Sequence, residues 1–258
     1  MAAMIHQFEI TIPRLTGDIP RRAYVYVPHS YEKDPGRRYP VLYMFDGHNV
    51  FFDSHATYGK SWGMGDYLDY TDTDLIVAAV ECNHSPDNGR LREYSPFTFD
   101  DPALGHIEGR GRETMDWYVD VFKPEIDRRF PTLPDRANTF IGGSSMGGLM
   151  TLWALMRYGE VFSRGAALSP AFGFSPREMK AAIRDTLFLP TVLYMDMGQE
   201  ELHSARARRI YGEMTSLLMQ KGVLLTCRVV PGGIHSEVTW EKQLPLFLRT
   251  LFYELTEE

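Results

Sequence analysis

Near the middle of the chain stands Gly143-Ser144-Ser145-Met146-Gly147. A short apolar run, 138–141, leads into it, and a stretch with helical spacing follows. A serine between glycines at a strand-to-helix corner is a nucleophile elbow, a sharp turn that lifts a hydroxyl clear of the strand end. Backbones crowd at such a corner, so the residues two before and two after the serine must be small. Gly143 and Gly147 fill those positions around Ser145. Ser144 does not fit, because Met146 stands where its second glycine is needed. Ser145 is therefore the candidate nucleophile. Five residues alone match by chance; the flanking elements strengthen the match, and a histidine and an acid downstream complete it.

Working outward, short apolar runs alternate with helical periods. Residues 8–12 and 23–27 suggest an opening antiparallel pair. Residues 41–45 and 75–80 are continuous apolar runs, as expected for strands covered on both faces. A short helix is expected over 61–70. The stretch 81–112 carries prolines, glycines and charges without a clear period, and a loop that long is usually functional. Met115, Tyr118, Phe122 and Ile126 recur at helical spacing, with Pro124 predicting a kink or break. After the elbow helix come strands at 165–168, 191–195 and 223–230, and a helix over 203–221. Trp240, Leu244, Phe247, Leu248, Leu251, Phe252 and Leu255 form the strongest amphipathic pattern.

This alternation implies right-handed crossovers and an α/β fold: one domain, 1–258, with a mostly parallel central sheet of about eight strands and helices on both faces. Sites in such sheets lie at the carboxyl ends of strands, and that is where partners for Ser145 are sought. His235 follows a strand end in the turn Gly232-Gly233-Ile234-His235 and is the candidate base. His203 also lies downstream but opens a helix beside the acid region. The acid should come from a strand end between serine and histidine. That strand closes in Asp196-Met197-Gly198-Gln199-Glu200-Glu201, where three carboxylates compete. For the oxyanion, one backbone N–H comes from Met146 and the other from the turn Asp46-Gly47-His48-Asn49, with His48 the expected donor.

Composition narrows the partners. The 258 residues are 44% hydrophobic with a net charge of −7, which suits a globular chain and argues against nucleic-acid or anionic-membrane partners. No apolar run reaches the roughly 20 residues that span a bilayer, and no secretory signal is evident. Cys82 and Cys227 read as buried, reduced thiols, which suggests a cytoplasmic protein.

With these residues assembled, the chain resembles the esterase branch of the α/β-hydrolases that includes feruloyl and acetyl esterases, enterochelin-type esterases and the esterase D group. The carriers are Tyr43-Met44-Phe45-Asp46-Gly47-His48-Asn49, Arg92-Glu93-Tyr94-Ser95-Pro96, the elbow, Tyr194 to Glu201, and Gly232-Gly233-Ile234-His235. The resemblance implies that the acid sits three residues after Gly198, at Glu201, and that the ester chemistry needs no metal or cofactor. It implies ester hydrolysis through an acyl-enzyme on a Ser145–His235–Glu201 triad. A thioesterase, such as an S-formylglutathione hydrolase, and a non-catalytic scaffold are the alternatives. Trp62, Arg90, Arg92 and Tyr94 are candidate substrate contacts for an aromatic or sugar-bearing ester; the structural alternative pairs Arg92 with Glu93 and packs Trp62 in the core. A small-molecule ester is the expected partner, with a homodimer left open.

Overall fold

A computed structural model describes residues 4–34 and 36–253. In chain order the strands are β1 (Met4–Thr11), β2 (Pro20–Val27), β3 (Val41–Met44), β4 (Ile76–Val80), β5 (Phe99–Asp101), β6 (Gly105–Ile107), β7 (Thr139–Ser144), β8 (Arg164–Leu168), β9 (Val192–Gly198) and β10 (Leu224–Val230). Among the described residues eight of them form one sheet, ordered β1-β2-β4-β3-β7-β8-β9-β10. Every pairing from β4 to β10 is parallel, while β1 and β2 pair antiparallel at one edge.

The continuous apolar strands work as their composition predicts, because each sends alternate side chains into two cores. Val41 and Tyr43 face one core with Ile76, Ala78 and Ile141. Leu42 and Met44 face the other with Val77, Ala79 and Phe140. Helices Met146–Arg157 and Ala205–Gln220 cover the first face through Leu149, Leu152, Ile210 and Met214. Met64–Thr71 and Leu244–Leu251 cover the second through Leu68, Phe247 and Leu251.

The elbow thus sits at the carboxyl end of β7, in the middle of the sheet, where loops from both sides can reach it. No helix of the described residues is long and apolar enough to cross a membrane.

Several expectations change in detail. The stretch 81–112 is not structureless: it holds the helix Gly89–Glu93 and the small hairpin β5–β6. Pro124 alters the hydrogen-bond ladder without ending the helix, since Trp117, Tyr118, Phe122 and Lys123 all keep right-handed helical backbone angles. Gly111–Trp117 and Lys123–Arg129 are joined through a π-helical turn at Tyr118–Phe122, where the ladder adjusts ahead of a residue with no N–H to donate. A helix at Pro176–Asp185, burying Met179, Ala182 and Ile183, has no counterpart in the sequence reading. The terminal pattern divides into Glu237–Glu241 and Leu244–Leu251, and Leu255 lies outside the described residues. Cys82 is buried, but Cys227 is exposed, because β10 is an edge strand.

Candidate active site

Ser145 adopts φ 58° and ψ −119°, a strained conformation for a residue with a side chain. Packing on both sides holds the turn. A Cβ on Gly143 would lie 3.0 Å from the backbone of Gly147, and a Cβ on Gly147 would lie 3.0 Å from Phe45. Ser145 N–H donates to Leu168 C=O, and Ser145 C=O accepts from Leu149 and Ala171. The strain is thus fixed by β8 and by the first turn of the following helix.

The histidine and acid loops meet beside it. His235 Nδ1 is 2.5 Å from Glu201 Oε2, and the imidazole remains about half exposed. The other oxygen, Oε1, accepts from Ser169 Oγ at 2.6 Å and from the Gly198 N–H at 2.9 Å. Burial opposes ionisation of Glu201, but the hydrogen bonds from His235, Ser169 and Gly198 outweigh it and hold the carboxyl below its ordinary range. Ser169 Oγ in turn accepts from Trp240 Nε1 at 3.0 Å. The indole edge meets the His235 ring with centroids 5.1 Å apart. Ser145 and His235 line one cleft of about 530 Å³. Among the described residues no hydrogen bond joins the two, as is common before substrate tightens such a pair.

The three competing carboxylates separate by position. Glu201 reaches the imidazole. Glu200 is exposed, its N–H donating to Gly233 C=O. Asp196 lies inside β9 and is buried, accepting from Ser169 N–H at 3.1 Å and Tyr194 OH at 2.9 Å. Burial pushes the Asp196 carboxyl up to about 6.

On the opposite wall, Asp46 has φ 55° and opens a short turn, Gly47–Asn49. Gly47 must be glycine here, since a Cβ would lie 2.8 Å from Val80 N. Arg90 grips Asp46 with two hydrogen bonds of 2.7 Å. Burial disfavours the Asp46 charge, yet the guanidinium keeps it ionised. Among the described residues neither the His48 nor the Met146 N–H is engaged by a protein acceptor.

The expected substrate contacts are placed differently. Trp62 is buried and packs on Trp240 and Phe247, with centroids 6.0 and 6.1 Å away. Tyr94 is fully buried, and its hydroxyl accepts the Asp46 N–H from below at 3.2 Å. Arg92 pairs with Asp87 at 2.8 Å, outside the cleft lining, and Glu93 pairs instead with Arg21 at 2.6 Å. Of the four, only Arg90 reaches the cleft. Helix periodicity explains this: in Gly89–Glu93 the residues two apart leave the helix on different sides. Sequence reading missed Tyr58, His84 and Asn88 in the lining and Ser169 behind the acid. For Ser169 a signal existed, since Ser169-Pro170 closes the strand adjacent to the elbow.

The sheet order and its covering helices are those of the α/β-hydrolase fold, and the family match over residues 17–251 makes the protein an ester-hydrolysing enzyme. Residues 17–251 match the family described as "Putative esterase", and the chain belongs to that family. Among curated proteins, "Uncharacterized protein YbbA" of Bacillus subtilis is 23% identical over 187 residues, covering 70% of this chain and 69% of its own. The endo-1,4-beta-xylanase/feruloyl esterase of Xylanibacter ruminicola is 24% identical over 239 residues. That match covers 89% of this chain but 29% of the relative. Among solved structures, the enterobactin esterase FES from Shigella flexneri superposes with a TM-score of 0.75 at 15% identity, over 96% of this chain and 58% of the other.

Proposed function

We propose that the protein is a serine carboxylesterase acting through an acyl-enzyme, with Ser145 as nucleophile, His235 as base and Glu201 as the acid that orients the imidazole. The Ser145 oxygen attacks the ester carbonyl while His235 Nε2 takes the hydroxyl proton. The leaving alcohol receives that proton from the imidazolium. Water, deprotonated by the same imidazole, then releases the carboxylic acid and frees Ser145. Glu201 stabilises the imidazolium without taking its proton. The N–H groups of Met146 and His48 supply the oxyanion hole, each donor worth roughly 3–4 kcal/mol of barrier.

The observation that carries this reading is the hydrogen bond between His235 and Glu201 opening onto the cleft that Ser145 lines. The substrate reading is a small ester with a polar or aromatic acyl group. It is supported by the polar cleft residues Asn49, Thr57, Asn83 and Asn88, and by Tyr58, a lining residue that is 82% exposed. The feruloyl and enterobactin esterases named above make aromatic acyl esters the first class to try. Hydrolysis rates for acetyl, feruloyl and long-chain acyl esters, with a thioester and an amide alongside, test it. Short and aromatic oxygen esters should lead the long-chain ester by at least about tenfold in kcat/KM, the scale set by a misfit of a few groups in a pocket. Preference for the long-chain ester or the thioester would overturn the substrate reading.

A further inference from the structure

Next to the elbow stand His48, Cys82 and His84, whose side chains take no part in the proposed ester chemistry, although the His48 backbone N–H serves the oxyanion hole. One donor atom from each lies within 4.8 Å of the others, and all three residues line the cleft with Ser145. The cluster comes from two neighbouring strand ends. His48 sits in the turn after β3, and Cys82 and His84 lie two apart just past β4, so the topology brings them together.

We infer that His48, Cys82 and His84 form a site for a divalent transition-metal ion, Zn²⁺ first, in the wall of the cleft. Three protein donors of the N,S type with an open side match the coordination of Zn²⁺ sites that keep one position for water or ligand. Borderline nitrogen and soft sulfur donors exclude Mg²⁺ and Ca²⁺, which take oxygen.

Two further observations point to a ligand at this place. His48 is 95% buried by its 5% exposure, and its Nδ1 has no hydrogen-bond partner among the described residues. Its Nε2 is 3.0 Å from Thr57 Oγ1. With Nε2–H donating to Thr57, Nδ1 presents an unused lone pair. That is the arrangement in which a metal-ligating histidine is normally held, the far nitrogen tied to an outer partner. A histidine packed merely for its bulk would leave a buried ring nitrogen unsatisfied at a cost, which native interiors rarely tolerate.

Secondly, Cys82 Sγ and His84 Nδ1 are already 4.0 Å apart. Tetrahedral bonds of zinc length need donors roughly 3.3–3.6 Å apart. His84 is exposed, so rotation of its ring can bring its nitrogen closer to the sulfur without disturbing the core. The His48 and His84 rings meet edge to face with centroids 4.8 Å apart, so the two imidazoles already lie side by side at the sulfur.

Cobalt(II) titration of the whole protein tests this without any ester, so its outcome is separate from that of the esterase reading. The expected result is one ion per chain with a thiolate-to-cobalt charge-transfer band, displaced by Zn²⁺. The band should vanish in Cys82→Ser. Affinity should fall by more than about tenfold in His84→Ala, since even outer partners of a metal site cost that much. His84 is exposed, so this second variant remains informative if the buried Cys82 substitution impairs folding. No saturable band, or cobalt binding of unchanged strength in His84→Ala, would overturn the inference.

Discussion

One hydroxyl ties the acid to the core. Ser169, at φ 42°, donates to Glu201 and accepts from Trp240, so a serine at the end of β8 fixes the carboxylate that the imidazole contacts. Its own N–H goes to Asp196, which gives that buried carboxylate a structural role. The three acids could not be ranked by residue type or order, because all lie within six positions of one strand end. Burial separates them, and burial depends on where β9 stops. Asp196 also carries a pH signature. Its carboxyl titrates near 3.8 in the unfolded chain and near 6 in the fold. Between those values the native state keeps a proton that the unfolded chain has lost, so this group's contribution to stability falls as pH rises through the window. The total is about 3 kcal/mol at 1.36 kcal/mol per unit. Asp196→Asn should therefore gain on the wild type as pH rises from 4 to 7, in urea unfolding at each pH. A stability difference that is flat over that range would contradict a buried, proton-sharing Asp196.

At the scale of elements, the site depends on two turns pressed backbone to backbone. A Cβ on Gly198 would lie 2.5 Å from Gly233 O and 2.8 Å from Glu201 Oε1. Glu200 N–H donates to Gly233 C=O and Gly232 N–H to Gln199 Oε1, locking the acid turn after β9 to the histidine turn after β10. Gly198→Ala must push them apart, and a displacement near 1 Å can cost about 100-fold in rate. We predict a kcat lowered on that order with the circular dichroism spectrum retained; unchanged kcat would show that the two turns are not coupled. The elbow, the parallel strands and the irregular helix ahead of Pro124 were legible because each has a local cause: small residues at a corner, apolar runs of strand length, a missing N–H. The cleft wall was not, since much of it comes from 81–112, where the helix Gly89–Glu93 is too short to show a period. Trp62 and Tyr94 illustrate the failure: aromatic residues near a functional loop are as often its support as its surface.

For the molecule as a whole, the antiparallel edge is more than a cover. Arg21 of β2 pairs with Glu93, at the end of the helix that carries Arg90, and both charges are almost fully buried. Arg90 in turn holds Asp46 and with it the His48 turn. Burial disfavours the Glu93 charge, so removing its partner leaves an uncompensated carboxylate inside the protein. Arg21→Met should destabilise the fold by about 3–5 kcal/mol, read from chemical denaturation. A loss under about 1 kcal/mol would show the pair to be hydrated and incidental. The fold-level expectation held because two-faced apolar strands admit few arrangements other than a covered parallel sheet. The cleft's lining depends on long-range pairs such as Arg21–Glu93 and Asp46–Arg90, which no local pattern announces.

The proposed ester hydrolysis depends on Ser145 being a nucleophile activated by His235. Reaction with a fluorophosphonate followed by peptide mass spectrometry tests it most directly. The expected result is a single adduct on Ser145, absent in Ser145→Ala and strongly slowed in His235→Ala. An unmodified protein, or an adduct on a different residue, would contradict it.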